Sequence, residues 1–264
     1  MNYKIIFSDM DYTLLNHNLQ ISQKNKNAIQ KLSAKNIPFV LCTGRGIYGV
    51  EPFVKELSLT KGYVITQNGA AIYELPHLNL IEMYSFPAEE IRIALQEAQK
   101  LGIDIQLYYD RILMTERLSP RVIAYSQRME VDITLIPDAL EYNGNLTKCL
   151  FNGPAQKLSQ LKEIVTPHLE GKVNMFFSNK EYWEITGLEA SKGKAALRLA
   201  QKLGIPSSSI VAMGDSENDI SMLQAAGLGI AVSNAPESVK KSAHKVLEIS
   251  CDEDAVAHVI EEYF

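Results

Sequence analysis

Asp9 and Asp11 stand two residues apart, directly behind the short apolar run from Tyr3 to Phe7. In extended backbone that spacing sends both side chains to one face. Two carboxylates so placed repel each other unless a cation lies between them or one is protonated. The chemistry they suit is Mg2+ binding, because that ion takes one or two protein carboxylates and keeps water or substrate phosphate as its other ligands. Asp215, in the segment Gly214-Asp215-Ser216-Glu217-Asn218-Asp219, would complete such a site. An isolated Asp-x-Asp also makes turns and helix caps, so the pair alone leaves both readings open.

Lys192 argues separately. It opens a helical stretch as Ser191-Lys192-Gly193-Lys194, where the helix dipole opposes a cation and glycine lowers helix propensity. Local stability therefore does not account for it. A helix start is a natural anion site; with the Thr43 hydroxyl and the backbone N–H groups near Gly44, a lysine there suggests a phosphate cradle. A solvated lysine on a surface turn is the other reading.

The elements that must position these residues alternate between β-branched apolar runs and amphipathic stretches, the pattern of a parallel sheet covered on both faces. Strands are expected at Tyr3 to Phe7, Ile37 to Cys42, Tyr63 to Thr66, Ile210 to Met213, Gly229 to Val232 and Lys245 to Ile249. Helices are expected at Gln23 to Ala34 and Lys192 to Leu203, the latter stopped by Gly204 and Pro206. Asn68-Gly69 suggests a hairpin turn. Ligands of open α/β sheets bind beyond the carboxyl ends of the strands, which is where Asp9, Thr43, Asp215 and Ser233-Asn234 all fall.

The middle of the chain differs. A helix at Ala88 to Leu101 precedes strands at Ile103 to Tyr109 and Ile112 to Thr115; a helix at Ala155 to Leu169 precedes strands at Val173 to Ser178 and Tyr182 to Thr186. This twice-used unit predicts a largely antiparallel sheet with helices on one face. The expected organisation is a Rossmann-like α/β core at residues 1–83 and 188–264, interrupted by an inserted α+β domain at 84–187.

Composition bounds the function. The chain has 264 residues, 46% hydrophobic and 22% charged, with mean hydropathy near zero, which excludes disorder and coiled coil. Its 26 basic and 31 acidic residues give a net charge of −5 with no basic stretch, which argues against nucleic-acid or anionic-membrane partners. Cys42, Cys149 and Cys251 are far apart and lack ligand spacing, as expected in a reducing compartment. The N-terminal apolar run is too short for a signal peptide or a membrane span, so a cytoplasmic protein, monomer or small homo-oligomer, is expected.

In combination these features resemble the haloacid dehalogenase-like superfamily, and within it the Cof-type (class IIB cap) phosphatases. Asp-x-Asp-x-Thr appears as Asp9 to Thr13, the hydroxyl motif as Thr43, the lysine motif as Lys192-Gly193 and the final acidic motif as Gly214 to Asp219. The resemblance covers essentially the whole chain. It implies a Mg2+-dependent phosphatase acting on a small phosphorylated metabolite, a sugar phosphate first and a cofactor phosphate next. It also implies roles. Asp9 would be the nucleophile that becomes an aspartyl-phosphate, and Asp11 the general acid and then base. Mg2+ would be held by Asp9, Asp11 through its carbonyl, and Asp215. The phosphoryl group would be held by Met10 and Gly44 N–H groups, Thr43, Lys192 and Asn218, with Asp219 orienting Lys192 or the metal shell and Lys194 as the alternative lysine. Two departures stand out: Tyr12 replaces the usual glycine, its ring expected to face the cap, and Asp254-Ala255-Val256 replaces an acidic-Gly-Val signature, leaving Asp252 to Asp254 as a solvated helix cap.

Substrate choice is expected in the inserted cap, at Tyr109, Asp110, Arg111, Asn179, Tyr182 and Trp183, although Tyr182 and Trp183 also suit packing under the cap helices. A phosphosugar mutase and a non-catalytic sugar-phosphate sensor are alternatives on the same fold. Gly44-Arg45-Gly46-Ile47-Tyr48-Gly49 matches a dinucleotide fingerprint, but the acidic residue that an oxidoreductase needs about 20 residues on is replaced by Thr66-Gln67-Asn68. Asp215, Glu217 and Asp219 could open a calcium loop, yet Ile220 and Ala226 stand where Gly and Glu are required. His17, His77, His168, His244 and His258 show no metal spacing.

Overall fold

The computed structural model describes residues 3–264, and they form two compact units: residues 3–44, 51–82 and 191–264, and residues 45–50 and 83–190. The first is built on an eight-stranded sheet in the order Lys245–Val246, Leu228–Ala231, Ile210–Gly214, Ile5–Ser8, Phe39–Cys42, Tyr63–Thr66, Ala71–Glu74 and Asn79–Met83. Its first six strands run parallel. Registers of Ser8 with Met213 and Leu41, and of Cys42 with Ile65, align the carboxyl ends along one edge.

Alternation along the strands feeds two layers. Ile5, Phe7, Val40, Cys42 and Ile65 pack with Ala195, Leu199, Met222 and Leu223 of the helices Lys192–Lys202 and Ile220–Ala225. Helices Gln23–Ala34 and Ala255–Tyr263 pack on each other. Each fully buried large apolar side chain contributes roughly 1.5–3 kcal/mol, so this layered core fixes the sheet edge firmly. The hairpin expected at Asn68-Gly69 is present: Thr66 pairs with Ala71 across a 3-10 turn at Gln67–Gly69.

The second unit carries a six-stranded sheet in the order Val173–Asn179, Tyr182–Gly187, Lys148–Asn152, Asp104–Tyr109, Ile112–Thr115 and Ile133–Leu135, antiparallel except for the last pair. Helices Arg92–Leu101 and Ala155–Leu169 bury Ile105, Leu107, Cys149, Phe151, Trp183 and Ile185 on one face. Helices on one face only was the expectation, and it needs correction. A helix at Pro120–Met129, N-capped by Ser119, covers Tyr108, Leu113 and Leu150 on the other face.

That second face also holds a buried ion pair. Lys148 Nζ lies 3.1 Å from Glu184 Oε2 and over the Tyr108 ring, with both charged side chains 5% exposed or less. Removing one partner of a buried pair strands the other, whereas replacing both with apolar groups is tolerated. Lys148→Met is therefore expected to lower unfolding free energy by about 3 kcal/mol, read from the urea midpoint. Adding Glu184→Leu should recover most of that loss; no recovery would contradict the pairing.

Candidate active site

The first strand hands the chain to a tight loop. Asp9 N donates to Met213 O at 3.0 Å, extending the ladder by one residue, and Met10 O then accepts from the N–H groups of Leu14 and Leu15 at 3.1 and 2.8 Å. Tyr12, within this loop, has φ of 61°. This is the left-handed region that glycine enters without steric cost, which gives a backbone reason for the glycine that Tyr12 replaces. Asn234 Nδ2 holds its carbonyl at 2.8 Å, and the Tyr12 ring lies 5.4 Å from that of His17, within the same unit.

Lys192 reaches the loop from the opposite side in sequence. Its Nζ donates to Asp9 Oδ1 and to Asp219 Oδ1, both at 2.6 Å, and the residue is 1% exposed. The neighbouring glycines make this approach possible. A Cβ on Gly193 would stand 2.2 Å from the Ser221 carbonyl oxygen, and one on Gly69 2.2 Å from that of Ser191. Ser191 Oγ caps the helix by accepting from Lys194 N at 3.1 Å. Lys194 itself is exposed, so Lys192 is the lysine at the site.

The acidic loop is ordered from within. Asp219 Oδ2 accepts from the N–H groups of Asp215 and Ser216 at 3.0 and 2.9 Å, while its Oδ1 takes Lys192. Asp215 in turn accepts from Thr13 Oγ1 at 2.9 Å and Ser216 Oγ at 3.1 Å. Asp9, Asp215 and Asp219 are all buried and form a cluster whose oxygens lie within 4.8 Å of one another. The Asp11 carboxylate is not part of that cluster.

Thr43 and Gly44 follow the second strand. Thr43 is 1% exposed, and its carbonyl accepts from Asn68 N at 3.0 Å. The Asn68 side chain fills the space a Gly44 Cβ would need, 2.9 Å away, and its Oδ1 accepts from Asn218 Nδ2 at 2.8 Å. Asn218 Oδ1 is buried without a hydrogen-bond partner. Asn68, Thr13 and Ser216 are thus additions to the site, and Asn234, already expected at this edge, holds the Tyr12 carbonyl. Thr13 lies inside the Asp-x-Asp-x-Thr motif, yet the motif alone gives it no role, and Asn68 reads in sequence only as a turn former.

Burial sets the electrostatics. It pushes the Asp9 carboxyl well above the usual carboxylate range, as does Asp219, against the pull of Lys192. Burial and then Asp219 push Asp215 up to about 7 despite the Thr13 hydrogen bond. For Lys192, burial works against the charge but is outweighed by Asp219 and Asp9, so the ammonium is held charged. Three clustered carboxylates against one lysine is an unbalanced donor set of hard oxygens, and it fits Mg2+.

The cap candidates separate into two groups. Asp104 and Tyr182 both register with Asn152, whereas Tyr108 registers with Lys148, four residues along the same strand. The turn at Tyr109 to Arg111 and the turn at Asn179 to Tyr182 therefore lie at opposite ends of the sheet, roughly 14 Å apart along the strand. Arg111 stacks over Tyr48 at 5.4 Å, three residues past Arg45. Asp110 occupies a left-handed turn position. Asn179 Oδ1 caps the far turn by accepting from Glu181 N, and Tyr182 accepts from Arg128. Trp183 corrects the expectation: it is 0% exposed and its ring packs 5.4 Å from Phe151 in the cap core, so it cannot meet a substrate.

The Gly44 to Gly49 string does not open an α-helix at its last glycine; it makes a 3-10 turn at Ile47–Gly49. Within Asp252 to Asp254 the expected solvated cap is found in part: exposed Glu253 forms a capping box with Ser250 at the 3-10 turn Cys251–Glu253, whereas Asp252 accepts from the His17 N–H and Asp254, at the N-cap of the last helix, makes no side-chain cap hydrogen bond. No helix among the described residues is long and apolar enough to cross a membrane, and the three thiols are free.

A family model described as haloacid dehalogenase-like hydrolase matches residues 6–260. YxeH of Bacillus subtilis (strain 168) is 30% identical over 268 residues, covering 98% of each chain. A Yersinia enterocolitica protein named HMP-PP phosphatase is 27% identical over 263 residues, spanning 99% of this chain and 95% of its own. The crystal structure of a haloacid dehalogenase-like hydrolase from Bacteroides thetaiotaomicron is similar with a TM-score of 0.86 at 30% identity, covering 100% of both chains.

Proposed function

We propose, since the chain belongs to the haloacid dehalogenase-like hydrolase family, that it is a Mg2+-dependent phosphatase of small phosphate monoesters, with sugar phosphates the preferred class. The observation that carries the reading is the buried lysine bridging two carboxylates at a sheet edge that also bears a hydroxyl and an amide. Asp9 attacks phosphorus and the leaving oxygen takes a proton from Asp11, giving an aspartyl-phosphate. Asp11 then accepts a proton from the water that attacks the same phosphorus, releasing phosphate and restoring Asp9. Splitting one displacement into two in this way lowers each barrier.

Lys192, the Thr43 hydroxyl, Asn218 and the N–H groups of Met10 and Gly44 hold the phosphoryl oxygens as charge shifts in the transition state. Asp219 positions Lys192, and Thr13 positions Asp215. Asp9, the Asp11 carbonyl and Asp215 would hold Mg2+, which would supply the charge neutralisation that a phosphate dianion needs to approach a carboxylate. The core residues address only the phosphoryl group, so recognition of the leaving group falls to the second unit, which we assign as the cap, with Tyr109, Asp110, Arg111, Asn179 and Tyr182 as its candidates.

Purified protein with Mg2+ should release phosphate from a panel of phosphorylated metabolites, with a preference for sugar phosphates and loss of activity on chelation. HMP-PP belongs on that panel because of the name its Yersinia relative carries. Equal rates with and without Mg2+, or no release from any member, would contradict the reading. Arg111→Ala should raise KM for the preferred substrate about ten-fold, the worth of one charged hydrogen bond, and leave turnover of an aryl phosphate unchanged. An unaltered KM would remove Arg111 from recognition.

A further inference from the structure

We propose that His17, Cys251 and Asp252 form a second metal site, for a thiophilic divalent cation such as Zn2+, distinct from the carboxylate cluster at the sheet edge. The three residues come from the two ends of the chain, His17 from the loop behind the first strand and the others from the 3-10 turn Cys251–Glu253. A separation of 234 residues between His17 and Cys251 makes the grouping invisible to any spacing rule.

The geometry is close to what the ion requires. His17 Nδ1, Cys251 Sγ and a carboxylate oxygen of Asp252 lie within 4.8 Å of one another, with Nδ1 to Sγ at 3.7 Å and Nδ1 to Oδ2 at 2.7 Å. Zinc bonds of about 2.0–2.1 Å to nitrogen and oxygen and about 2.3 Å to sulfur, at a tetrahedral angle, put N and S about 3.6 Å apart and N and O about 3.4 Å apart. The N–S edge is therefore in place. The N–O edge needs to open by about 0.7 Å, replacing one hydrogen bond by two bonds to the ion. His17 and Asp252 side chains are 58% and 49% exposed, which gives them freedom to move and leaves water as the fourth ligand.

The surroundings hold these atoms in position. The backbone N–H of His17 donates to Asp252 Oδ1 at 3.0 Å, so one carboxylate oxygen is anchored while the other faces the site. Cys251 N donates to Asn234 Oδ1 at 3.0 Å, and the Tyr12 ring backs the imidazole at 5.4 Å. Such outer contacts orient ligands in metal centres. A nucleophilic Cys-His-Asp relay is excluded by the geometry, because sulfur and carboxylate both meet the same ring nitrogen, whereas a relay needs one on each. Sulfur and imidazole ligands select Zn2+ over Mg2+. Bound there, the ion ties the loop that carries Asp11 and Tyr12 to the turn before the last helix.

The inference does not rest on the phosphatase reading. Its test uses the full chain with millimolar Mg2+ present, titrated with Co2+ as a spectroscopic substitute for Zn2+. One equivalent should produce a thiolate-to-Co2+ charge-transfer band in the near ultraviolet, abolished by Zn2+, absent in Cys251→Ser and lost or sharply weakened in the exposed His17→Ala variant. Absence of the band in the wild type, or an undiminished band in either variant, would overturn the site.

Discussion

The Asp9→Asn variant is expected to lose at least about 10³-fold in kcat for any phosphate monoester, because it removes the nucleophile and leaves only binding and electrostatic assistance. The side chain keeps nearly the same volume, so the fold should be retained. Asn also relieves repulsion: Asp9 is held above the usual carboxylate range by burial and by Asp219, and Asp215 and Asp11 add to it. The variant should therefore be no less stable in the absence of Mg2+, because Lys192 keeps its ion pair with Asp219 at 2.6 Å. Steady-state phosphate release beside a denaturant melt separates the two effects. Residual Mg2+-dependent turnover within ten-fold of the wild type would assign the nucleophile elsewhere.

Lys192→Met should be costly twice over. The lysine is the charge that the buried carboxylates face directly, and its removal leaves Asp9 and Asp219 without a cation in the interior. Stranding buried charge costs about 3–5 kcal/mol, softened here because Asp9 can take up a proton. Catalysis should fall by about 10²–10³-fold, the usual loss for one donor aimed at developing charge. Two measurements define the outcome: the urea midpoint and kcat under conditions where the variant is folded. A stable variant with unchanged kcat would contradict both assignments. Lys194→Met, at an exposed position on the same helix, is the matched control.

Much of this site was legible because its logic is local. Asp9, Thr43 and Asp215 follow strands whose apolar runs are unambiguous, and parallel register alone brings such tails to one edge. Lys192 stands out because it sits badly for helix stability, and Gly193 beside it marks a backbone approach to Ser221. What escaped depends on tertiary choices. Asn68 has the form of a turn residue, and its role comes from the space beneath Gly44. The central cap strand Lys148–Asn152 begins with a lysine that would ordinarily be solvated, and its burial depends on partners from elsewhere in the fold, Glu184 on the neighbouring strand and the Tyr108 ring.

Trp183 shows a related limit. Tyr182 and Trp183 are neighbours in sequence, but strand alternation turns them to opposite faces, and both faces of this sheet are covered by helices. Polarity at a strand end therefore could not say which ring meets solvent. The separation of the turns at 109–111 and 179–182 was unreadable for a different reason: antiparallel register places them at opposite ends, and register is a property of partners that neither turn encodes.

The central claim is that Asp9 becomes covalently phosphorylated during turnover. Quenching the protein in acid while it hydrolyses its preferred monoester, reducing with borohydride and mapping peptides by mass spectrometry tests this directly, since an acyl phosphate is reduced to the alcohol. Conversion of residue 9 to homoserine is the result expected, and it should be enhanced in Asp11→Asn turning over an aryl phosphate, whose leaving group needs no general acid while hydrolysis of the intermediate is slowed. Unmodified Asp9 in a sample that is releasing phosphate, or reduction at another carboxylate, would contradict the mechanism.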